Sequence, residues 1–448
     1  MPSPTRRGFL MGCSAAIANL AAARFTNVVF ADPGTTPDHE VLVVLFLRGG
    51  MDGLNYVLPL AGVDRPHYLA ARPSIAVPDS GANAALALSE MGGTLFGLHP
   101  GAAPLHELWQ DGRVAFVHAC GLATPSRSHF DNQAQIELGT AGNGSTTTGW
   151  LTRHFLSASL PPGIVMPSLA VSSTIQTAFQ ASTEAIAMTN RDDFVINTGP
   201  STWRDAQKTA LRNILESSGD YLHSRGVEAL DASTLIELNV PSGGYTPANG
   251  AVYPSGAFGD AMKLIAQMIK LGLGLRAVTV DLGGWDTHNG QGSAGAGTYF
   301  HNQVNQLAQG LHGFYTDLDG AGGENYASKA TVAVMSEFGR RVAQNADSGT
   351  DHGHGGVMTV LGGRVNGGLY GDWPGLDLAG GQLYDNADLA ITTDFRTVLA
   401  ELLVERLGNP DVGFVFPGFA YPGPLGFATL FRDGFESGGV ARWSAGAP

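Results

Sequence analysis

Disulfide-forming cysteine, basic charge and membrane-length apolar runs are what this 448-residue sequence has least of. Two cysteines are present. Cys13 falls in the amino-terminal leader described below, and Cys120 alone cannot form an intramolecular bridge. Stability must therefore come from a packed core, with Cys120 read as a small buried apolar group. Lysine and arginine number 25 against 39 aspartates and glutamates. So acidic a chain is a poor match for nucleic acid, which is gripped through its phosphates by basic side chains, and for anionic lipid. A phosphorylated or sulfated small molecule is not excluded, because a bound cation can reverse the local field. Beyond residue 31 no stretch is long and apolar enough to span a membrane.

The first residues read as an address label. Thr5-Arg6-Arg7-Gly8-Phe9-Leu10 sets two arginines ahead of a stretch rich in Ala, Ile and Leu, the layout of a twin-arginine export signal. Val29-Phe30-Ala31 offers a cleavage site, so the mature chain is expected to start at Asp32 and to work in the periplasm or outside the cell. An uncleaved amino-terminal anchor is the competing reading. Leu10-Met11-Gly12-Cys13 resembles a lipoprotein cleavage box, but the apolar region follows Cys13 instead of preceding it. Removing 1–31 takes away three arginines and no acid, which leaves 22 basic against 39 acidic side chains and a net charge of −17. The twin-arginine translocase moves folded chains, so a metal can be loaded before export.

Five runs read as fully buried strands: 41–47, 114–118, 276–282, 331–335 and 357–361. The first is continuously apolar and β-branched, as a central parallel strand is. Helical spacing lies between them. Leu105, Leu108 and Trp109 share a face before Gly112. Phe258, Met262, Ile265 and Ile269 share another. Phe300, Val304, Leu307, Leu311, Phe314 and Leu318 form a third, and 395–407 a late helix. Alternating strand and helix predicts an α/β fold with a central, mostly parallel sheet between helices. The Ser-, Thr-, Gly- and Pro-rich stretch 142–255 breaks this rhythm, apart from one helix expected near 203–224, and reads as an insertion or cap. The 62 glycines suit long connections and tight turns. The stretch 431–448 reads as a polar, Gly-rich, flexible tail.

In an open parallel sheet, ligands bind beyond the carboxyl ends of the strands. The first strand is followed by Arg48-Gly49-Gly50-Met51-Asp52-Gly53, and the second by Thr124-Pro125-Ser126-Arg127-Ser128-His129. The third ends in Gly283-Gly284-Trp285-Asp286-Thr287-His288, and the fourth in Ser336-Glu337-Phe338-Gly339-Arg340. Asp351-His352-Gly353-His354 precedes the fifth. Asp, Glu and His are the oxygen and nitrogen ligands of divalent metals. A hydroxyl at a helix start sits where backbone N–H groups can hold an anion. Each piece has a plainer reading: Asp52 as a turn residue, Glu337 as the partner of Arg340 or Arg341, Ser128 as a helix cap. Asp286 and His288, and His352 with His354 in their glycine-rich loop, are the sharper candidates. His99, His106, His118 and His312 have no such setting and read as structural or surface residues.

With those residues in view, the chain resembles the DUF1501 family. The resemblance rests on 47–55, Ser128-His129-Phe130, 284–288, 336–340 and Asp351-His352, and runs from about residue 40 to about 410. The family is of unknown function and is placed with the alkaline phosphatase-like superfamily, which includes sulfatases, phosphodiesterases and metal-dependent phosphomutases. The resemblance implies a divalent metal (zinc, calcium, magnesium or manganese) held by Asp52, Asp286, His288, Glu337 and His352 or His354. Pro125-Ser126-Arg127 is similar to part of a sulfatase signature, but Ala123 stands where its cysteine would be, so Ser128 is the implied nucleophile. Arg48 or Arg127 would clamp the substrate anion. The expected activity is metal-dependent hydrolysis of a small phosphate or sulfate ester. The alternatives are a non-catalytic binding or assembly protein of the envelope, which Ala123 and the absence of a histidine after Glu337 favour, and a metal-dependent isomerase or mutase.

Overall fold

A computed structural model of the chain describes residues 40–124, 126–142, 146–158, 166–190, 193, 200–239, 244–320 and 325–428. The expected leader over 1–31 and the expected tail over 431–448 lie outside the described residues.

A nine-stranded sheet forms the centre. Its strands are β1 (Val41–Leu47), β2 (Val114–Gly121), β3 (Ser168–Val171), β4 (Ala185–Ala187), β5 (Ala277–Leu282), β6 (Ala330–Ser336), β7 (Gly356–Gly362), β8 (Gly368–Tyr370) and β9 (Thr393–Asp394). The spatial order is β8-β2-β7-β6-β1-β5-β3-β4, with β9 also paired to β2. β1 lies parallel between β5 and β6, and β3 and β4 extend the sheet in parallel beyond β5. The fold is α/β with a mostly parallel central sheet, as expected.

β1 shows why its sequence is apolar throughout. Val41, Val43, Leu45 and Leu47 pack on one face against Phe258, Ile265, Val304 and Leu311 of the Ala257–Lys270 and Tyr299–Leu318 helices. Leu42, Val44 and Phe46 pack on the other against Trp150, Leu399 and Leu402. A strand covered on both faces has no place for a polar alternation.

Three details differ from the sequence reading. β7 is antiparallel to both β2 and β6, and direction leaves no mark on an apolar run. The stretch 142–255 is not only a cap, because it supplies β3 and β4 to the central sheet. Where one helix was expected there are two, Arg204–Leu215 and Tyr221–Asn239. Among the described residues, no helix is long and apolar enough to cross a membrane.

Strand direction and register place the site. Leu47 is level with Leu282 and with Ser336, so the loops after β1, β5 and β6 leave the sheet side by side. β2 ends at the same edge, where Cys120 pairs with Gly356 at the start of β7. Because β7 runs the other way, the loop before it reaches this edge too. Had β7 been parallel, that loop would lie at the opposite end of the sheet.

His99, His118 and His154 are buried. His118 lies between Phe96 and Trp373, with ring centroids 4.8 and 5.0 Å away. Burial lowers His118 to about 3, and His99 and His154 to about 4. An unfolded imidazole takes up its proton near 6.5, so below that pH the unfolded chain binds protons that the folded chain does not. Stability is therefore expected to fall as pH drops from about 6.5 towards about 4. Urea unfolding at pH 7.5, 6 and 5 measures the slope, and His118→Phe should make it shallower. An unchanged slope in that variant would show that His118 is not excluded from protonation.

Candidate metal centre

Four loops meet at the carboxyl edge of the sheet, after β1, β2 and β5 and between β6 and β7, and one side chain ties three of them. Arg340 is almost fully buried (1 % exposed). Its Nε donates to the Gly50 carbonyl at 2.6 Å and its NH1 to the Thr350 carbonyl at 2.9 Å. Its NH2 donates to the carbonyls of Gly49 and Trp285 and to Asp286 Oδ1 at 2.6 Å. Such close approach needs Gly49, whose φ is +126° and where an added Cβ would lie 2.4 Å from the Asp286 nitrogen.

Asp286 is the hub of the exposed side. Its Oδ1 lies 3.1 Å from His288 Nε2, 3.3 Å from His352 Nε2 and 3.5 Å from His129 Nε2. His288 Nε2 and His352 Nε2 are 2.9 Å apart. The ligand atoms of His129, Asp286 and His352 all lie within 4.8 Å of one another, a grouping able to hold a metal ion. Burial pushes the Asp286 carboxyl up, but the Arg340 hydrogen bond and charge outweigh it, helped by His288 and His129, and the net direction is down.

His129 is the first residue of the His129–Leu138 helix, capped by Ser128, whose Oγ accepts from the Asp131 N–H at 3.4 Å. His129 Nδ1 meets Glu337 Oε1 at 2.7 Å. That oxygen also accepts from the Gly49 N–H at 2.9 Å and Gln133 Nε2 at 2.8 Å. The hydrogen bond to Glu337 is the main cause holding His129 above the usual histidine range. For Glu337, burial raises the carboxyl but the bonds from His129, Gln133 and the backbone prevail and lower it. The second nitrogen, His129 Nε2, is buried with no hydrogen-bond partner.

The structure brings Asp286, His288 and His352 together as the sequence suggested and adds His129, which had been read only as part of a motif. Its signal was position: the first helical residue after a buried strand that ends at the ligand-binding edge. Other candidates lie elsewhere. Asp52 is buried, and its Oδ2 meets Arg72 NH1 at 2.6 Å and Gln291 Nε2 at 2.6 Å, so an internal guanidinium already neutralises it. Glu337 supports His129 and does not join the ion-holding group. His354 is stacked on Tyr384, centroids 4.0 Å apart. The two arginines expected to clamp an anion are committed: Arg48 to Glu137 at 2.8 Å and Asp281 at 3.0 Å, Arg127 to Asp388 at 2.5 Å and Asp385 at 3.2 Å.

The donors present fit a divalent ion. Imidazole nitrogens and a carboxylate are metal ligands, and the partnerless His129 Nε2 is aimed at Asp286. The side chains of Asp286 and His288 are 49 % and 39 % exposed, so an ion held here faces solvent.

The model of a protein family described as "Protein of unknown function (DUF1501)" matches residues 118–405. No curated protein matches the chain in sequence. Among solved structures, the chain is similar to Ps i-CgsB in complex with k-i-k-neocarrahexaose, at 8 % identity and a TM-score of 0.35, over 83 % of this chain and 72 % of that one. It is similar to the lipoteichoic acid synthase LtaP from Listeria monocytogenes at 9 % identity and a TM-score of 0.29, over 80 % and 73 %. It is also similar to the PsFucS1 sulfatase from Pseudoalteromonas sp. at 10 % and 0.29, over 88 % and 75 %. Likenesses this distant carry no argument about chemistry, which rests on the chain's own residues.

Arg340→Met would strand several buried carbonyls. A loss of ~3 kcal/mol or more is expected, because each buried acceptor left without a donor costs about 1–3 kcal/mol, while Asp286, 49 % exposed, regains water. Denaturant unfolding should show a lower midpoint at an unchanged slope. A midpoint equal to the parent's would mean that the loops hold together without this side chain.

Proposed function

This chain belongs to the DUF1501 family, and we propose that it is an exported metal-dependent hydrolase of phosphate or sulfate esters. The observation that carries the reading is the convergence of His129, Asp286 and His352 at the solvent-facing carboxyl edge of the sheet. His129, Asp286, His288 and His352 would hold the ion. A divalent cation bound there supplies positive charge that steadies the ester oxygens.

In this reading Ser128 provides the attacking hydroxyl. It adjoins His129, and its Oγ accepts the Asp131 N–H at the start of a helix. That donor and the positive end of the helix dipole favour the oxygen as its proton leaves. With Arg48 and Arg127 paired elsewhere, neutralising the substrate falls mainly to the ion. The paired arginines before the apolar leader support export of a chain already folded around its metal.

One observation favours the second reading, a metal-binding envelope protein without turnover: Arg48, Arg127 and Arg340 all spend their charge on internal acids. The purified mature chain, assayed for metal and against aryl phosphate, phosphodiester and aryl sulfate, separates the two. Hydrolysis of one ester class is expected, with His352→Ala losing both metal and activity and Ser128→Ala losing activity alone. Turnover retained in Ser128→Ala would remove that serine as nucleophile. Bound metal without hydrolysis of any ester would leave the binding-protein reading.

A further inference from the structure

We infer that this site is a four-ligand centre for a late first-row ion of the zinc type, formed by His129, His288, His352 and Asp286. Glu337 and Asp351 act as positioning residues that turn two of its rings. The inference rests on the metal-binding part of the proposed function and not on hydrolysis.

The argument is a count of ring donors and acceptors. His352 Nδ1 lies 2.8 Å from the backbone carbonyl of Arg127. A carbonyl oxygen can only accept, so that nitrogen carries the hydrogen and Nε2 presents a lone pair. His288 Nδ1 faces Asp351 Oδ1 at 3.1 Å, and His129 Nδ1 faces Glu337 Oε1 at 2.7 Å. Carboxylates accept likewise, so each outer nitrogen is the donor. All three rings then turn an Nε2 lone pair inward, on the oxygen of Asp286 and on one another.

With all three rings neutral, four acceptors so gathered have no hydrogen to share, and only a proton or a metal ion can relieve them. His288 Nε2 and His352 Nε2, 2.9 Å apart, would repel as bare lone pairs, and His129 Nε2 has no hydrogen-bond partner. A cation at their centre turns every one of these contacts favourable. The spacings agree with a single small ion: with metal–ligand bonds near 2.05 Å, the edges of a tetrahedron are roughly 3.3 Å. Four of the six edges, at 2.9, 3.1, 3.3 and 3.5 Å, bracket that value, and the His129 and His352 ligand atoms lie within 4.8 Å of each other.

Donor chemistry decides the class of ion. Calcium and magnesium take oxygen ligands, whereas three imidazoles and one carboxylate suit zinc and its late first-row neighbours. The outer hydrogen bonds, carboxylate to His129 and His288 and carbonyl to His352, fix the ring faces and raise ligand basicity. The supports are tied into the fold. Glu337 is held by the Gly49 N–H and by Gln133, and Asp351 accepts from Asn345 Nδ2 at 3.1 Å.

The test uses the full chain stripped with chelator and titrated with Zn²⁺, Co²⁺, Ca²⁺ and Mg²⁺ by calorimetry, with visible absorption read for Co²⁺. One Zn²⁺ or Co²⁺ per chain is expected, with the intense visible bands of four-coordinate cobalt and no competition from Ca²⁺ or Mg²⁺. Glu337→Gln and the more exposed Asp351→Asn should each weaken Zn²⁺ binding about 10–100-fold while circular dichroism stays that of the parent. Should buried Glu337→Gln misfold, Asp351→Asn and His288→Ala carry the test alone. Tight Ca²⁺ or Mg²⁺ binding without cobalt bands overturns the ligand assignment and leaves a metal hydrolase possible. Binding of none of these ions overturns both this inference and the proposed function. Tight Zn²⁺ binding without ester hydrolysis sustains the inference and removes the hydrolase reading.

Discussion

The buried guanidinium of Arg340 is the constraint on which the rest of the site depends. Four loops leave one edge of the sheet, and several of their carbonyls have no strand left to pair them. Arg340 satisfies those of Gly49, Gly50, Trp285 and Thr350 and spends its remaining contact on Asp286. A planar fork of five donors can do this where a lysine could not. The same contact leaves Asp286 ionised beside three imidazoles, so the residue that joins the loops also sets the charge of the centre.

Two aspartates illustrate how surroundings divide the roles of like residues. Asp52 and Asp286 follow neighbouring strands at the same level of the sheet. Asp52 faces inward to Arg72 and Gln291 and serves the packing of its loop. Asp286 meets Arg340 through the oxygen that also faces the histidines, and half of its side chain remains in solvent. A carboxylate closed in by a guanidinium has little reason to recruit a second cation, whereas one shared with imidazole lone pairs does.

The histidines are likewise sorted by what lies behind them. His118, His99 and His154 are buried, and burial holds each of them below the usual histidine range. His129, His288 and His352 each have an acceptor behind the outer nitrogen and leave the inner one towards Asp286. Phe338 packs against both His129 and His352, with centroids 4.9 and 4.8 Å away, and so limits how far either ring can swing.

Local composition was enough to locate the core strands, because a segment buried on both faces must be apolar along its whole length. Helical spacing was enough for the two long helices that cover one face, and strand ends rich in Asp, His and Gly marked the edge that carries the site. Strand direction was not written there: an apolar run reads the same either way. Only the antiparallel course of β7 brings His352 to the edge reached by Asp286. The short strands β3 and β4 stayed hidden in a polar stretch because runs of four and three residues are too brief to show a pattern. The identity of the ligands was decided by tertiary structure alone. Whether Asp52, Glu337, His129 or His354 meets a cation, a guanidinium, another side chain or an aromatic ring depends on neighbours far away in the chain, and no local pattern records them.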